Sequence, residues 1–186
     1  PSLSLAAPSV VDVGPNPDGT GLVVVVNPGS ADGRGRRVVE AIRTGLPAAE
    51  IIELDDTDDM ATVFADVAAR AEILGVAGGD GTVACAAAPA LAADIPVAVF
   101  PAGTFNHFAK ALGVRVDATP RAIEQGWCTT VDVARLNGEI FLNTASAGSY
   151  PEFVIRREKL EGRIGKPLAA VVAGVLTAAS ALALAG

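Results

Sequence analysis

The sequence is poor in the residues that build metal centres and disulfide frameworks. Its 186 residues include one histidine and two cysteines, Cys85 and Cys128. Two cysteines are too few to staple a small secreted scaffold, and a single histidine cannot supply a zinc cluster of the Cys/His type. These absences exclude the disulfide-rich and zinc-binding classes and favour an intracellular protein.

Positive charge is also scarce. The chain has 14 lysines and arginines against 21 acids, for a formal net charge of −7. A general nucleic-acid binder needs a basic surface to offset phosphate charge, so no nucleic-acid partner is predicted. Because 51% of the residues are hydrophobic and 19% are charged, the chain can form a packed core, and intrinsic disorder is disfavoured.

The first 21 residues have the composition of a linker or tail. They are rich in Pro, Gly, Ser and Asp and show no helical period. No basic region precedes an apolar run, so this segment does not have the pattern of a signal peptide. We expect no regular structure in residues 1–21.

Short apolar strands and helical segments alternate over the next ninety residues. Parallel strands need crossover connections, and right-handed crossovers lay helices over both faces of the sheet. The sequence therefore predicts an α/β fold of three layers, a parallel sheet with helices on both faces. The predicted strands are 22–26, 50–54, 73–77 and 95–100, and the predicted helices are about 35–44, 58–70, an alanine-rich segment ending near 93, and 106–112.

An acidic run, 55–59, precedes the second predicted helix. Such a run suits a divalent cation, but acids in the first turn of a helix also stabilise its N-terminus. We favour the second interpretation, with Thr57 as the N-cap.

The pattern changes after Pro120. A short helix, 121–125, leads to two strands, 129–136 and 139–144, on either side of Asn137-Gly138, a strong hairpin signal. We expect Trp127 to pack where two parts of the chain meet. An antiparallel element therefore begins near residue 129, and residues 131–186 are predicted to begin a second domain.

The end of the chain has a basic stretch, 156–166, followed by an uncharged run, 167–186. The run is long enough to span a bilayer. Its many alanines favour instead a helix packed on the rest of the second domain, with the basic stretch near an anionic lipid surface.

Three loops follow predicted parallel strands: Asn27 to Ser30, Gly78 to Thr82, and Gly103 to Asn106. Ligands of open α/β sheets bind at the carboxyl ends of the strands, where helix N-termini favour anions. Glycines allow the backbone to approach phosphate oxygens closely. The loops therefore predict a nucleotide phosphate site.

The standard phosphate signatures are absent. No GxxxxGK[ST] motif occurs, and GxGxxG is approached only by Gly79, Gly81 and Ala84, without an acid after the next strand. A purely structural turn capped by Thr82 accounts for the glycines but leaves Asp80 unexplained. An acid there suits holding Mg²⁺ through water or taking a proton from an attacking hydroxyl. We expect Cys85 to be a small buried apolar residue and His107 to lie at the rim of the site.

The motifs Asn27-Pro28-x-Ser30, Gly78-Gly79-Asp80-Gly81-Thr82 and Pro101-x-Gly103-Thr104-x-Asn106-x-Phe108-Ala109, in that order, resemble the catalytic domain of the diacylglycerol kinase and sphingosine kinase family. The resemblance covers about residues 22–166. It implies an NAD kinase/phosphofructokinase-like nucleotide-binding domain over 22–130. It also implies a β-rich C-terminal domain, of which residues 131–186 would be the incomplete beginning, with the lipid entering between the two domains. It also implies a catalytic or Mg²⁺-linked role for Asp80. The residues that it places at ATP are Asn27, Pro28, Gly29, Ser30, Gly78, Gly79, Asp80, Gly81, Thr82, Gly103, Thr104 and Asn106.

The function implied by this resemblance is transfer of the γ-phosphoryl group of ATP to the hydroxyl of diacylglycerol or a related lipid. ATP and Mg²⁺ are the expected cofactors, with Asp80 as the candidate protein contact of the metal. The protein would be cytoplasmic and peripheral to the membrane. The alternatives are a soluble-substrate kinase of the NAD kinase type and a non-catalytic nucleotide-binding module. The lipid and a homodimeric state are left open.

Overall fold

The computed structural model describes residues 9–30, 34–136 and 139–142. A four-stranded parallel sheet with helices on both faces confirms the predicted α/β class. In chain order the elements are β1 (Val10–Asp12), β2 (Leu22–Val26), a single 3-10 turn (Pro28–Ser30), α1 (Arg34–Gly45), β3 (Glu50–Glu53), α2 (Met60–Ala68), β4 (Ile73–Gly78), α3 (Asp80–Ala93), β5 (Val97–Pro101), α4 (His107–Ala111), α5 (Thr119–Gln125), β6 (Trp127–Thr129), β7 (Ala134–Leu136) and β8 (Glu139–Phe141).

Strand β2 is the centre of the core. All five of its residues are buried, because it pairs in parallel with both β3 and β4 and is covered on both faces. Val23 and Val25 face the layer that contains α2 and α3. The other three residues face the layer that contains α1 and α5. This explains why the sequence shows a continuous apolar run instead of alternation.

The strand order is β3-β2-β4-β5, so the chain reverses its direction across the sheet after β3. The connection from β2 runs through α1 on one face, and the connection from β4 runs through α3 on the other. The loops after β2 and β4 therefore diverge at the carboxyl edge. Divergence of this kind opens the crevice in which α/β proteins bind ligands.

The expectation of no regular structure in residues 1–21 is wrong at β1. This strand pairs antiparallel with β6, with Val10 opposite Thr129 and Asp12 opposite Trp127. Its partner lies more than a hundred residues away, so local composition does not reveal the pairing. Residues 1–8 lie outside the part of the chain that the structure describes.

The predicted strand 129–136 is divided in two. β6 ends at Thr129 and joins β1, whereas β7 begins at Ala134 and pairs with β8, which confirms the hairpin. Trp127 is 65% exposed on the ribbon formed by β1 and β6, so the described residues do not bury it, and its packing where two parts of the chain meet stays a prediction. The basic stretch 156–166 and the uncharged run 167–186 lie outside the described residues. Among the helices that are described, none has the length and hydrophobicity needed to cross a bilayer.

The predicted N-cap of the second helix, Thr57, is also wrong. Asp59 caps α2 instead, because its carboxylate accepts hydrogen bonds from the backbone N–H of Thr62 at 3.3 Å and from the Thr62 hydroxyl. Thr57 donates its N–H and hydroxyl to Asp55, which closes the preceding turn. The acids of residues 55–59 thus stabilise a turn and the start of α2, as the preferred interpretation predicts, but the cap is Asp59 instead of Thr57.

The Asp59 cap predicts a pH-dependent contribution to stability. Hydrogen bonds from the side chain and backbone of Thr62 hold the pKa of Asp59 below its usual 3.8. A carboxyl group whose pKa is lower in the folded state stabilises the fold at pH values above its unfolded-state pKa. This stabilisation is lost as the pH falls through the folded-state pKa. We expect Asp59→Ala to lower the thermal midpoint at neutral pH and to have a smaller effect below pH 3.8.

Circular dichroism melts across this pH range measure that difference. Asp56→Ala is the matched control, since it removes a neighbouring exposed acid that does not cap the helix. Equal losses in the two variants at neutral pH would contradict the assignment of the cap.

Candidate functional site

The loop after β2 is tied to the start of α3. The side-chain amide of Asn27 donates to the hydroxyl of Thr82 at 3.3 Å, and its oxygen accepts from the backbone N–H of Gly29 at 3.1 Å. Thr82 is 4% exposed. The bond to Thr82 holds the first loop against the segment that follows β4, and the bond from Gly29 closes the turn within the first loop.

The loops after β4 and β5 touch backbone to backbone. A Cβ added to Gly103 would lie 2.4 Å from the Cα of Gly79 and 2.8 Å from the side-chain oxygen of Asn106. The backbone N–H of Gly103 donates to the carbonyl oxygen of Gly78 at an N–O distance of 3.2 Å. It also donates to the side-chain oxygen of Asn106 at 2.9 Å. Only glycine at position 103 permits this approach.

Asp80 is held at the first turn of α3 by contacts with α4. Its two carboxylate oxygens accept the backbone N–H groups of His107 and Phe108, each at 3.0 Å. The carboxylate therefore caps the N-terminus of α4, which Asn106 leaves without a side-chain cap. The N-cap of α3 itself is Gly79, so the interpretation with Thr82 as that cap is wrong.

A cleft of about 620 Å³ opens where the three loops meet. It brings together seven of the predicted residues. Of the others, Gly78 and Asn106 lie behind the lining and bond Gly103. Pro28, Gly29 and Ser30 form the 3-10 turn. The predicted residues that line the cleft are Asn27, Gly79, Asp80, Gly81, Thr82, Gly103 and Thr104.

Residues 21–136 contain the whole parallel sheet. They match the family model described as the diacylglycerol kinase catalytic domain. The chain belongs to this family. The family predicted from the three loop motifs is thereby confirmed.

A curated diacylglycerol kinase of Mycobacterium tuberculosis is 32% identical to this chain over 118 residues. The match covers 59% of this chain and 38% of that protein. A protein of Pseudomonas aeruginosa named "probable lipid kinase YegS-like" is 34% identical over 118 residues. This match covers 61% of this chain and 39% of that protein. A solved structure of a putative diacylglycerol kinase from Bacillus anthracis matches with a TM-score of 0.56 and 28% identity, covering 66% of this chain and 48% of that chain. The chain thus spans about two-fifths of the length of these curated relatives.

Three residues that the sequence interpretation did not assign to the site also line the cleft of this kinase-family domain: Met60, Cys85 and Phe105. Cys85 is exposed, so the prediction that it is buried is wrong. It follows Gly81 by four residues, about one helical turn, and that spacing is a signal that could have placed it in the cleft. Met60 has no such signal, because it comes from a different element.

The third loop ends in an exposed aromatic pair. The ring of Phe105 is 64% exposed and stacks on His107 at a centroid distance of 5.6 Å. His107 is exposed at the rim, where its backbone N–H bonds Asp80.

The chemistry of the cleft suits a phosphorylated ligand. The start of α3 supplies backbone N–H groups and the positive end of a helix dipole, and glycine backbone adjoins it. Asp80 is the acid among the lining residues, and no group of three or more His, Cys, Asp or Glu occurs in the described part of the chain. This donor set fits Mg²⁺ that arrives with a nucleotide, since Mg²⁺ keeps phosphate and water ligands and needs few protein carboxylates.

Gly81 offers a test of the phosphate site that spares the fold. A Cβ added there meets no atom within 4 Å, because it projects into open space at the cleft. We expect Gly81→Ala to keep the thermal midpoint and to weaken ATP binding by about tenfold or more, as a methyl group intrudes on a closely approached ligand. Isothermal titration with Mg-ATP measures the affinity.

Ala92→Ser is the matched control for Gly81→Ala. It also adds one non-hydrogen atom, at an exposed position near the other end of α3. Unchanged ATP affinity in Gly81→Ala, or an equal loss in the control, would contradict the placement of the phosphates.

Proposed function

We propose that residues 22–130 form the ATP-binding part of a kinase that transfers the γ-phosphoryl group of ATP to the hydroxyl of diacylglycerol or a related lipid. The observation that carries the proposal is the backbone contact of Gly79 with Gly103 beside the start of α3. It leaves a glycine-walled cleft, next to a helix N-terminus, in a chain of the diacylglycerol kinase family.

The lining residues divide by the part of ATP that they contact. The backbone of Gly79 and Gly81 binds phosphate oxygens, because no Cβ intervenes there. Asn27 and Thr104 present amide and hydroxyl groups to the rest of the nucleotide, and the buried hydroxyl of Thr82 holds Asn27 in position. Mg²⁺ bound with ATP neutralises phosphate charge, and Asp80 is the carboxylate that can reach it through water. The remaining proposed site residues, Pro28, Gly29, Ser30, Gly78 and Asn106, shape the loops.

Asp80 receives the proton in the proposed reaction. The lipid hydroxyl oxygen forms a bond to the γ-phosphorus, the bond from that phosphorus to the ADP oxygen breaks, and the hydroxyl proton passes to the Asp80 carboxylate. Each carboxylate oxygen accepts one N–H from α4 and keeps a further lone pair for this purpose. The N–H groups also fix the orientation of the carboxylate, and positioning supplies much of the catalysis in phosphoryl transfer.

The proposed lipid acceptor requires the protein to act at a membrane. A lipid with two acyl chains stays in the bilayer, so the enzyme that phosphorylates it must work at the surface. We therefore propose a cytoplasmic protein with peripheral membrane association.

The experiment measures transfer of labelled phosphate from Mg-ATP to diacylglycerol in mixed micelles, with NAD as a parallel acceptor. It uses the printed chain and, because the curated relatives are longer, the same chain with any sequence that adjoins it naturally. Transfer to the lipid is the expected result. Transfer to NAD alone would replace the proposal by a soluble-substrate kinase. ATP binding without transfer in either form would identify a non-catalytic nucleotide-binding module.

A further inference from the structure

The ribbon formed by β1 and β6 concentrates exposed hydrophobic side chains. Eight large hydrophobic residues are exposed in the part of the chain that the structure describes, and five of them lie in or beside this ribbon: Val10, Val11, Val13, Trp127 and Val131. Exposed apolar surface gathered in one place marks an interaction site. A two-stranded ribbon is also only marginally stable in water by itself, so a further strand that joins it stabilises it.

The backbone bonds between β1 and β6 fall on alternate residues. The N–H of Val13 donates to the carbonyl oxygen of Gly126 at 2.9 Å, and the carbonyl oxygen of Ser9 accepts the N–H of Thr130 at 3.0 Å. Bonded and non-bonded pairs alternate along antiparallel strands, so Val11, midway between these two residues, also directs its backbone groups towards β6.

The two residues between them form the outer edge of β1. Val10 and Asp12 direct their backbone N–H and carbonyl groups away from β6, to a side on which the described residues place no other strand. An unpaired edge is a template for pairing with another chain. Proline and lysine are the residues that commonly block such pairing, and β1 contains neither.

This edge is complementary to a second copy of itself. Antiparallel pairing about Val11 places Val10 opposite Asp12 of the copy, and these are the two residues whose backbone groups point outwards. Each of the two symmetric pairs therefore exchanges both of its N–H to carbonyl bonds. Val11 then lies opposite Val11 of the copy, and the Asp12 carboxylates do not face each other. No like charges oppose this pairing.

The edge lies outside the matched catalytic domain. The family model begins at residue 21, so it includes β6 but not β1. Pairing through β1 is therefore independent of the phosphoryl transfer proposed above, and the two can be tested separately.

We propose that two copies of this chain associate through β1, giving a continuous antiparallel sheet in the order β6-β1-β1-β6. The strand is short and the contact small, so the dimer is weak. We expect it to form over roughly 10–1000 µM of chain, the range of small interfaces.

Sedimentation equilibrium over this concentration range tests the proposal. It uses the printed chain and the same chain with any sequence that adjoins it naturally. The expected result in both forms is an average mass that rises with concentration towards twice that of one chain. A monomer at every concentration in either form would overturn the proposal, because the edge is then unused or covered by the adjoining sequence.

Residue 11 gives the decisive variants, since it alone lies opposite itself across the twofold axis. Val11→Asp places like charges opposite each other, and we expect it to weaken the dimer by about tenfold or more. Val13→Asp is the matched control. It makes the same change at another exposed valine beside the ribbon, but residue 13 lies opposite residue 9 of the copy, so we expect an effect within about threefold.

A mixture of complementary variants excludes misfolding as the cause of a loss. Val11→Asp and Val11→Lys are each expected to dimerise poorly alone, whereas an equimolar mixture recovers the wild-type affinity as a heterodimer, because opposite charges then meet at the axis. Circular dichroism checks that each variant is folded. An unchanged dimer in Val11→Asp, an equal loss in Val13→Asp, or no recovery in the mixture would overturn the pairing through β1.

Discussion

Replacing Asp80 by asparagine is expected to lower the rate of phosphoryl transfer by about 10²–10⁴-fold, the usual contribution of a general acid or base. The neutral amide cannot take the proton of the lipid hydroxyl. It also cannot replace both hydrogen bonds to α4, because an amide offers one acceptor oxygen where the carboxylate accepts from His107 and from Phe108. The loss of one bond is expected to lower the free energy of unfolding by roughly 1 kcal/mol.

Two measurements separate the chemical role of Asp80 from its capping role. Thermal unfolding with and without Mg-ATP reports on the fold and on nucleotide binding, while steady-state kinetics divides the effect between kcat and KM. Asp94→Asn is the matched control, since it makes the same change at the C-cap of α3, where a left-handed conformation suits asparagine. A kcat within threefold of wild type in Asp80→Asn would show that Asp80 only positions α4.

Gly103→Ala is expected to damage both the fold and the site. The new methyl carbon would lie 2.4 Å from the Cα of Gly79, and a backbone atom cannot rotate away as a flexible side chain does. Overpacking of this kind costs about 1–3 kcal/mol. The two loops must separate to accommodate it, and a displacement of about 1 Å at a phosphoryl-transfer site can cost 10²-fold in rate. Chemical denaturation and the lipid phosphorylation assay measure the two effects.

The control for this variant is Gly35→Ala in α1. A Cβ there meets its nearest atoms at 3.9 Å, which is ordinary contact, so the same substitution is expected to be neutral or slightly stabilising. If Gly103→Ala unfolded at the same denaturant concentration as Gly35→Ala, the close approach of the two loops would be refuted.

The elements of the parallel sheet were predictable because each is encoded in a short contiguous segment. The run Leu22–Val26 can be buried on both faces only in a central strand, and β2 has that position. The hairpin of β7 and β8 was predictable for the same reason, since its turn residues stand between its strands. The three loops of the candidate site were predictable as neighbours because parallel strands end at one edge of the sheet.

The errors occur where a residue depends on a distant partner or on a choice between neighbours. β1 is a strand only because β6 pairs with it. Asp59 was missed as the cap of α2 because Thr57 is also a good capping residue, and the turn closed by Asp55 decides between them. Cysteine is a residue type that is usually buried, but the side of α3 that contains Cys85 faces the cleft.

The α/β class, the family and the three glycine-bearing loops can be predicted from the sequence, because periodicity and motif spacing are local properties of the chain. What those loops form together follows only from the folded structure. The fold places Gly79 against Gly103 and gives the Asp80 carboxylate the N–H groups of α4 as partners. Each of these arises from contacts between segments far apart in sequence, and such contacts are set by the direction in which the chain crosses the sheet.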